Sequence, residues 1–173
     1  SRTTLVGGDV KIVVRSSTAS TWILATASVK CAKLAATIIG TSAGETIQGT
    51  AGDDVIWAGG GNDVVNGLGG NDTICLGGGD DEADGGPGND KIRGDSGNDV
   101  IWGDTGDDVL IGHGGRDQLY GQGGNDTLKG KKGSDQLFGG GGQDILNGGP
   151  GIDVGKGGKG GDTCVAIETP SSC

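Results

Sequence analysis

The chain has 173 residues, a length that suits one domain. Glycine supplies 42 of them, aromatic residues only 3%, and 23 acidic against 13 basic side chains leave a formal charge of −10. That balance argues against a nucleic-acid binder, which needs clustered Lys and Arg, and no apolar run reaches the roughly 18 residues of a membrane span. A glycine-rich, acidic, aromatic-poor composition by itself reads as disorder, so only strict order along the chain can overturn that reading. Four cysteines with no methionine lean toward an oxidising compartment. No Cys-x-x-Cys pair is present, which argues against a zinc or redox site.

Residues 1–39 are mixed polar and apolar and rich in Val, Ile and Thr, with strands predicted at 10–14 and 22–24. The opening Ser1-Arg2-Thr3-Thr4 suits a mature form already trimmed of an export signal. Residues 40–48 read as a decayed nine-residue repeat, in frame with the blocks C-terminal to it, with Glu45 where those blocks have aspartate.

From Gly49 to Val165 the chain divides into thirteen consecutive blocks of nine without an insertion. Position 4 is glycine and position 6 aspartate in all thirteen. Position 1 is glycine in eleven, with Ala58 and Leu76 the departures. Position 8 is Ile, Val or Leu in ten, the exceptions being Ala83, Gly155 and Cys164. Disorder cannot demand such phase. Positions 1–6 read as a turn, with glycine at 1, 2 and 4 permitting left-handed backbone angles. Positions 7–9 read as a three-residue strand whose middle side chain points inward. Two blocks then make one coil, and coils stacked at about 4.8 Å make two parallel sheets. The expected fold is all-β, a parallel β-roll of thirteen nonapeptides. Residues 1–39 form its N-terminal β cap, or alternatively a strand donated to a neighbouring molecule. Residues 166–173 form a closing tail.

One apolar side chain per block is little to set against the entropy of ordering nine residues. Something must bind the turns. Stacking places blocks of equal parity on one edge: Asp54, Asp72, Asp90, Asp108, Asp126, Asp144 and Asp162 on the first, Asp63, Asp81, Asp99, Asp117, Asp135 and Asp153 on the second. Carboxylates one coil apart repel unless a cation lies between them. Aspartates among the exposed carbonyls of a glycine-rich turn make a hard, all-oxygen site, which favours Ca²⁺ over transition metals. Seven and six aspartates leave gaps for about eleven ions, or about twelve if Glu45 pairs with Asp63. Position 5 is often Asp or Asn, such as Asp53, Asn71 and Asn125, and turn formation is the expected role.

The pattern G-G-x-G-x-D-x-U-x resembles the RTX, or haemolysin-type, calcium-binding repeat. The resemblance covers about two thirds of the chain. It implies a secreted calcium-binding structural module in which the position-6 aspartates and turn carbonyls of stacked repeats share each ion. It also implies extracellular or cell-surface localisation. Four cysteines allow three pairings. One clamp per end, Cys31–Cys75 and Cys164–Cys173, is the arrangement favoured, and the first also resembles family members with a cysteine ahead of an Ala-Thr-Ile-x-Gly-Thr entry.

No enzymatic activity is expected. Gly94-Asp95-Ser96-Gly97 spells a serine-protease motif, but the nine-residue frame accounts for it, and the lone His113 follows the serine. Asp80-x-Glu82-x-Asp84-Gly85 imitates the start of an EF-hand loop, yet the twelfth place is Lys91. One surface feature lies outside the calcium scheme. Trp102, Tyr120 and Phe138 occupy position 9 of alternate blocks, so they should form an outward aromatic ladder. Local cross-strand packing is one reading of it. A docking face for a protein partner or for another copy, in a filament, matrix or adhesin, is the other.

Overall fold

The computed structural model describes residues 30–171. The strands expected at 10–14 and 22–24, and Cys173, lie outside the described residues. Within them the chain is a parallel β-roll of about seven coils with no helix, and hence no helix that could cross a membrane. One eight-stranded sheet runs from Ile38–Ile39 through Val55–Gly60, Thr73–Gly78, Lys91–Ser96, Val109–Gly114, Thr127–Lys132 and Ile145–Asn147 to Thr163–Val165. The other runs from Thr46–Gln48 through Val64–Asn66, Glu82–Asp84, Val100–Thr105, Gln118–Gly123, Gln136–Gly141 and Val154–Lys159 to Thr169–Ser171. Successive strands within the repeat array pair in parallel at a register of 18 residues, as in Ile101↔Leu119 and Leu110↔Leu128. Thr46–Gln48, from the decayed block, keeps that register against Val64–Asn66.

The strands are longer than the three residues expected. Most run for six, from position 7 into position 3 of the next block. The turn signal of glycine at positions 1 and 2 hid this, because parallel pairing continues through residues that carry no strand propensity. Inward-facing residues are therefore positions 8 and 1. Ile56 with Ala58, and Ile74 with Leu76, are completely buried. Beyond Leu76, position 1 is glycine, and the core narrows to one file per sheet: Ile92, Leu110, Leu128 and Leu146 facing Ala83, Ile101, Leu119 and Leu137.

Residues outside the nonapeptide frame pack on the roll near both of its ends. At the start, Lys30–Cys31 and Leu34–Ala35 form a small antiparallel pair. Cys31 is bonded to Cys75 across a sequence separation of 44, as expected, and both are buried. At the other end Ile167 packs against the core, filling the space that Gly155 leaves at a position 8. Cys164 is disulfide-bonded too.

Candidate metal centre

The turns carry the chemistry, and three kinds of backbone constraint shape them. Position 2 is left-handed in every block from Gly59 to Gly158, including six non-glycine residues such as Leu68 (φ 79°) and Lys131 (φ 81°). Position 4 is left-handed from Gly61 to Gly142 and lies tight against the preceding coil. A Cβ on Gly97 (φ 129°) would stand 1.7 Å from the carbonyl oxygen of Gly79. Position 1 is not left-handed, contrary to expectation. Its glycine serves space instead of angle. A Cβ on Gly94 would stand 2.0 Å from Oδ2 of Asp99 and 2.8 Å from the carbonyl oxygen of Gly112. Where position 1 is glycine, the missing side chain therefore leaves an oxygen-lined space beside the aspartate of the same block.

Into that space point the position-6 carboxylates. Asp54, Asp63, Asp72, Asp81, Asp90, Asp99, Asp108, Asp117, Asp126, Asp135, Asp144 and Asp153 are all buried, and Asp162 is half-buried. From Asp63 onward the two oxygens have different fates. Oδ1 accepts the backbone N–H of the aspartate one coil earlier: Asp54 N–H to Asp72 at 2.8 Å, Asp99 N–H to Asp117 at 3.0 Å, Asp144 N–H to Asp162 at 3.0 Å. Among the described residues, Oδ2 has no hydrogen-bond partner in eleven of them: Asp63, Asp72, Asp81, Asp90, Asp99, Asp108, Asp117, Asp126, Asp135, Asp144 and Asp153. A buried polar atom without a partner costs about 1–3 kcal/mol, more if charged. A native fold does not repeat that cost eleven times without a ligand to offset it.

The electrostatics agree. Burial pushes the carboxyls of Asp99 and Asp108 up to about 7, and those of Asp90, Asp117 and Asp126 to about 6. The donated N–H of the preceding coil opposes this in each case, and neighbouring carboxylates reinforce it. Asp63, Asp72, Asp81, Asp135, Asp144 and Asp153 are raised for the same leading reason. Without a cation, burial shifts each of these carboxyls toward its protonated form.

The donor set suits a hard cation. Among the described residues no three His, Cys, Asp or Glu side chains converge on one point, so side chains alone could not complete a coordination sphere. Carboxylate oxygens would have to be joined by turn carbonyls, the mixture that Ca²⁺ accepts with six to eight oxygens. A zinc site of nitrogen and sulfur ligands is a poor match for this donor set.

The ends of the two stacks are finished differently. Oδ2 of Asp54 accepts both the backbone N–H (2.7 Å) and the hydroxyl (2.9 Å) of Thr50. Glu45 donates its N–H to Oδ1 of Asp63 at 2.8 Å, as its place in the stack requires, while its own Oε2 accepts the N–H of Thr41 at 2.6 Å. At the far end Oε2 of Glu168 accepts the N–H of Asp153 at 2.6 Å, the role an aspartate plays elsewhere. Sequence reasoning missed Glu168 because it lies 15 residues after Asp153 instead of 18. Two turns on the second edge depart from the rest, since Ala58 and Leu76 bring a side chain to position 1.

Position 5 does more than shape its own turn. Its Oδ1 accepts the backbone N–H of the position-5 residue one coil later: Asn71 N–H to Asp53 at 2.7 Å, Asp107 N–H to Asn89 at 2.8 Å, Asn125 N–H to Asp107 at 2.7 Å. Position-6 carboxylates accept from the coil before and position-5 side chains from the coil after, so each turn is pinned from both sides.

The family model for the RTX calcium-binding nonapeptide repeat (4 copies) matches residues 39–74, 76–110, 84–119, 93–128 and 120–155. No curated protein matches the chain. The matched segments together cover most of the chain and coincide with the coils that carry the stacked, buried aspartates. The protein is thus a member of the RTX calcium-binding nonapeptide-repeat family, a calcium-binding β-roll.

Proposed function

We propose that this protein is an extracellular structural module that folds when its stacked turns take up Ca²⁺. In this reading Asp54, Asp63, Asp72, Asp81, Asp90, Asp99, Asp108, Asp117, Asp126, Asp135, Asp144, Asp153 and Asp162 hold the ions together with turn carbonyls. About eleven ions are held, about one per unpartnered Oδ2. The observation that carries the reading is that row of buried carboxylate oxygens with nothing to accept from. Bound Ca²⁺ supplies the positive charge that lets adjacent carboxylates ionise together in a buried turn. The protein's own residues do the rest: Oδ1 holds the backbone register, Oδ2 faces the cation, and glycine at position 1 leaves the room.

Export to calcium-rich surroundings fits both the chemistry and the cysteines. Sites of this all-oxygen kind span affinities down to the millimolar range of extracellular modules, and disulfides persist in oxidising compartments. Residues 40–48 enter the roll, 49–165 form it, and the segment from residue 166 closes it. No catalytic role is assigned to any residue.

The deciding experiment is a calcium titration of the full chain with its disulfides intact, followed by circular dichroism and calorimetry. The expected result is a cooperative gain of β signal, reversed by a chelator, with about eleven ions taken up per chain. A chain that keeps its β signal and its melting temperature in chelator would overturn the proposal.

A further inference from the structure

The rings of Trp102, Tyr120 and Phe138 stack along the roll axis. Their centroids are 5.8 and 4.9 Å apart, and their planes lie within 13° and 7° of parallel. The phenol of Tyr120 donates to Oε1 of Gln118 at 3.0 Å, which holds the middle ring. The same file continues in register to Asp84 beside Trp102 and to Lys156 beside Phe138. Both are exposed, and the three rings between them are only half-buried. Next to Trp102 a shallow cleft of about 420 Å³ is lined by Glu82 and Asp84, so it is acidic with an aromatic wall. Next to Phe138 a second cleft of about 600 Å³ is lined by Lys156 and Lys159, so it is basic with an aromatic wall.

The file therefore reads acid, ring, ring, ring, base, with Tyr120 at its centre. Such a strip is complementary to itself when one copy is turned about an axis parallel to the strands. Asp84 then faces Lys156 of the second copy, Trp102 faces Phe138, and Tyr120 faces Tyr120. Each contact occurs twice, as a two-fold interface requires. Rotation about the roll axis would instead set Asp84 against Asp84.

We propose that two copies of this chain pair face to face through the Trp102–Tyr120–Phe138 ladder, with Lys156 of each entering the acidic cleft of Glu82 and Asp84 in the other. Cation–π contact with Trp102 and the pairing with two carboxylates would both favour the lysine there. Five strands at about 4.8 Å spacing and up to six residues long give a face of roughly 500 Å² per copy. Tight complexes use about 800 Å² per partner, so the pairing is weak and salt-sensitive. It rests on the calcium-stacked roll, without which the file does not exist.

Sedimentation of the full chain in excess Ca²⁺, over a wide range of loading concentration, tests it, with circular dichroism reporting separately on the roll. A monomer–dimer equilibrium that weakens with added salt is expected. Asp84→Lys and Lys156→Glu should each weaken dimerisation about tenfold, since each sets like charges opposite one another twice. The double exchange Asp84→Lys/Lys156→Glu should restore it, because the reversed file is again self-complementary. A chain with an intact β signal that remains monomeric at its highest soluble concentration overturns the proposal and leaves the face to a foreign partner. Dimers indifferent to both single reversals, or not restored by the double one, overturn the pairing. A lost β signal in excess Ca²⁺ would mark failure of the roll itself, and with it of the face.

Discussion

The backbone N–H of Asp153 donates to Oε2 of Glu168 at 2.6 Å, completing on the second edge a stack of carboxylates that begins with Glu45 and Asp63. Ile167, the residue before Glu168, packs over the core beside Gly155. One short segment thus closes both the turn and the core. Glu168→Ala should destabilise the last coil by about 1–2 kcal/mol and leave the first coils unchanged. Hydrogen exchange at Val154–Lys159 against Val55–Gly60 in excess Ca²⁺ reads the difference.

Replacing one central carboxylate should have opposite effects with and without calcium. Asp108→Asn keeps the shape of the side chain but removes a charge that burial disfavours. In chelator the variant should retain more residual structure than the parent chain. In excess Ca²⁺ it should melt lower and bind about one ion fewer. Parallel melts under the two conditions check the sign, and calorimetry checks the count.

Acid should partly substitute for calcium. The folded carboxyls of Asp99 and Asp108 rise from the ordinary 3.8 to about 7. Between those limits the ion-free roll binds more protons than the unfolded chain. Its stability is therefore present at low pH and lost as pH rises through about 7. In chelator the β signal should be larger near pH 5 than near pH 8. Ca²⁺ uptake near pH 6 should release protons, measurable by calorimetry in buffers of different ionisation enthalpy.

The first coils should hold together best when calcium is withdrawn. Asp54 and Glu45 satisfy their outer oxygens with Thr50 and Thr41, and Cys31–Cys75 closes a long loop over the same coils. A loop of that length contributes about 4 kcal/mol by the chain-entropy account. In chelator, exchange protection should survive longest around Val55–Gly60 and Thr73–Gly78. Reduction of the disulfide should abolish it, and Thr50→Val should lower it by about 1 kcal/mol.

The invariant glycine of position 4 should not be uniformly required. A Cβ on Gly97 would strike the Gly79 carbonyl in a left-handed residue, whereas a Cβ on Gly52 meets no atom of the described residues within 4 Å. Gly97→Ala should destabilise the holo roll by several kcal/mol or prevent folding. Gly52→Ala should change it by no more than about 0.5 kcal/mol. Thermal melts of the two variants in Ca²⁺ decide it.

The nine-residue phase was enough to determine the roll, its handing of alternate blocks to two edges, the inward file of position 8 and the two rows of aspartates. Periodicity in a solenoid converts directly into neighbours, because the residue 18 places on is always the one stacked above. The aromatic ladder was legible for the same reason. The Cys31–Cys75 clamp was only the favoured one of three possible pairings, and the stacked chain decides it, because it sets the two Cα atoms 5.6 Å apart. What lay outside the phase was not. Glu168 and Ile167 take up their posts after a shortened final turn, and no repeat predicts them. The six-residue strands were masked by glycines that read as turn. The sorting of glycine at positions 2 and 4 by backbone angle, and at position 1 by room for an oxygen, depends on distances between coils. So does the division of each carboxylate into one oxygen that holds the register and one that faces a cation. Only the stacked chain shows which oxygen meets an N–H, because that contact is set by the neighbouring coil and not by the residue's own nine.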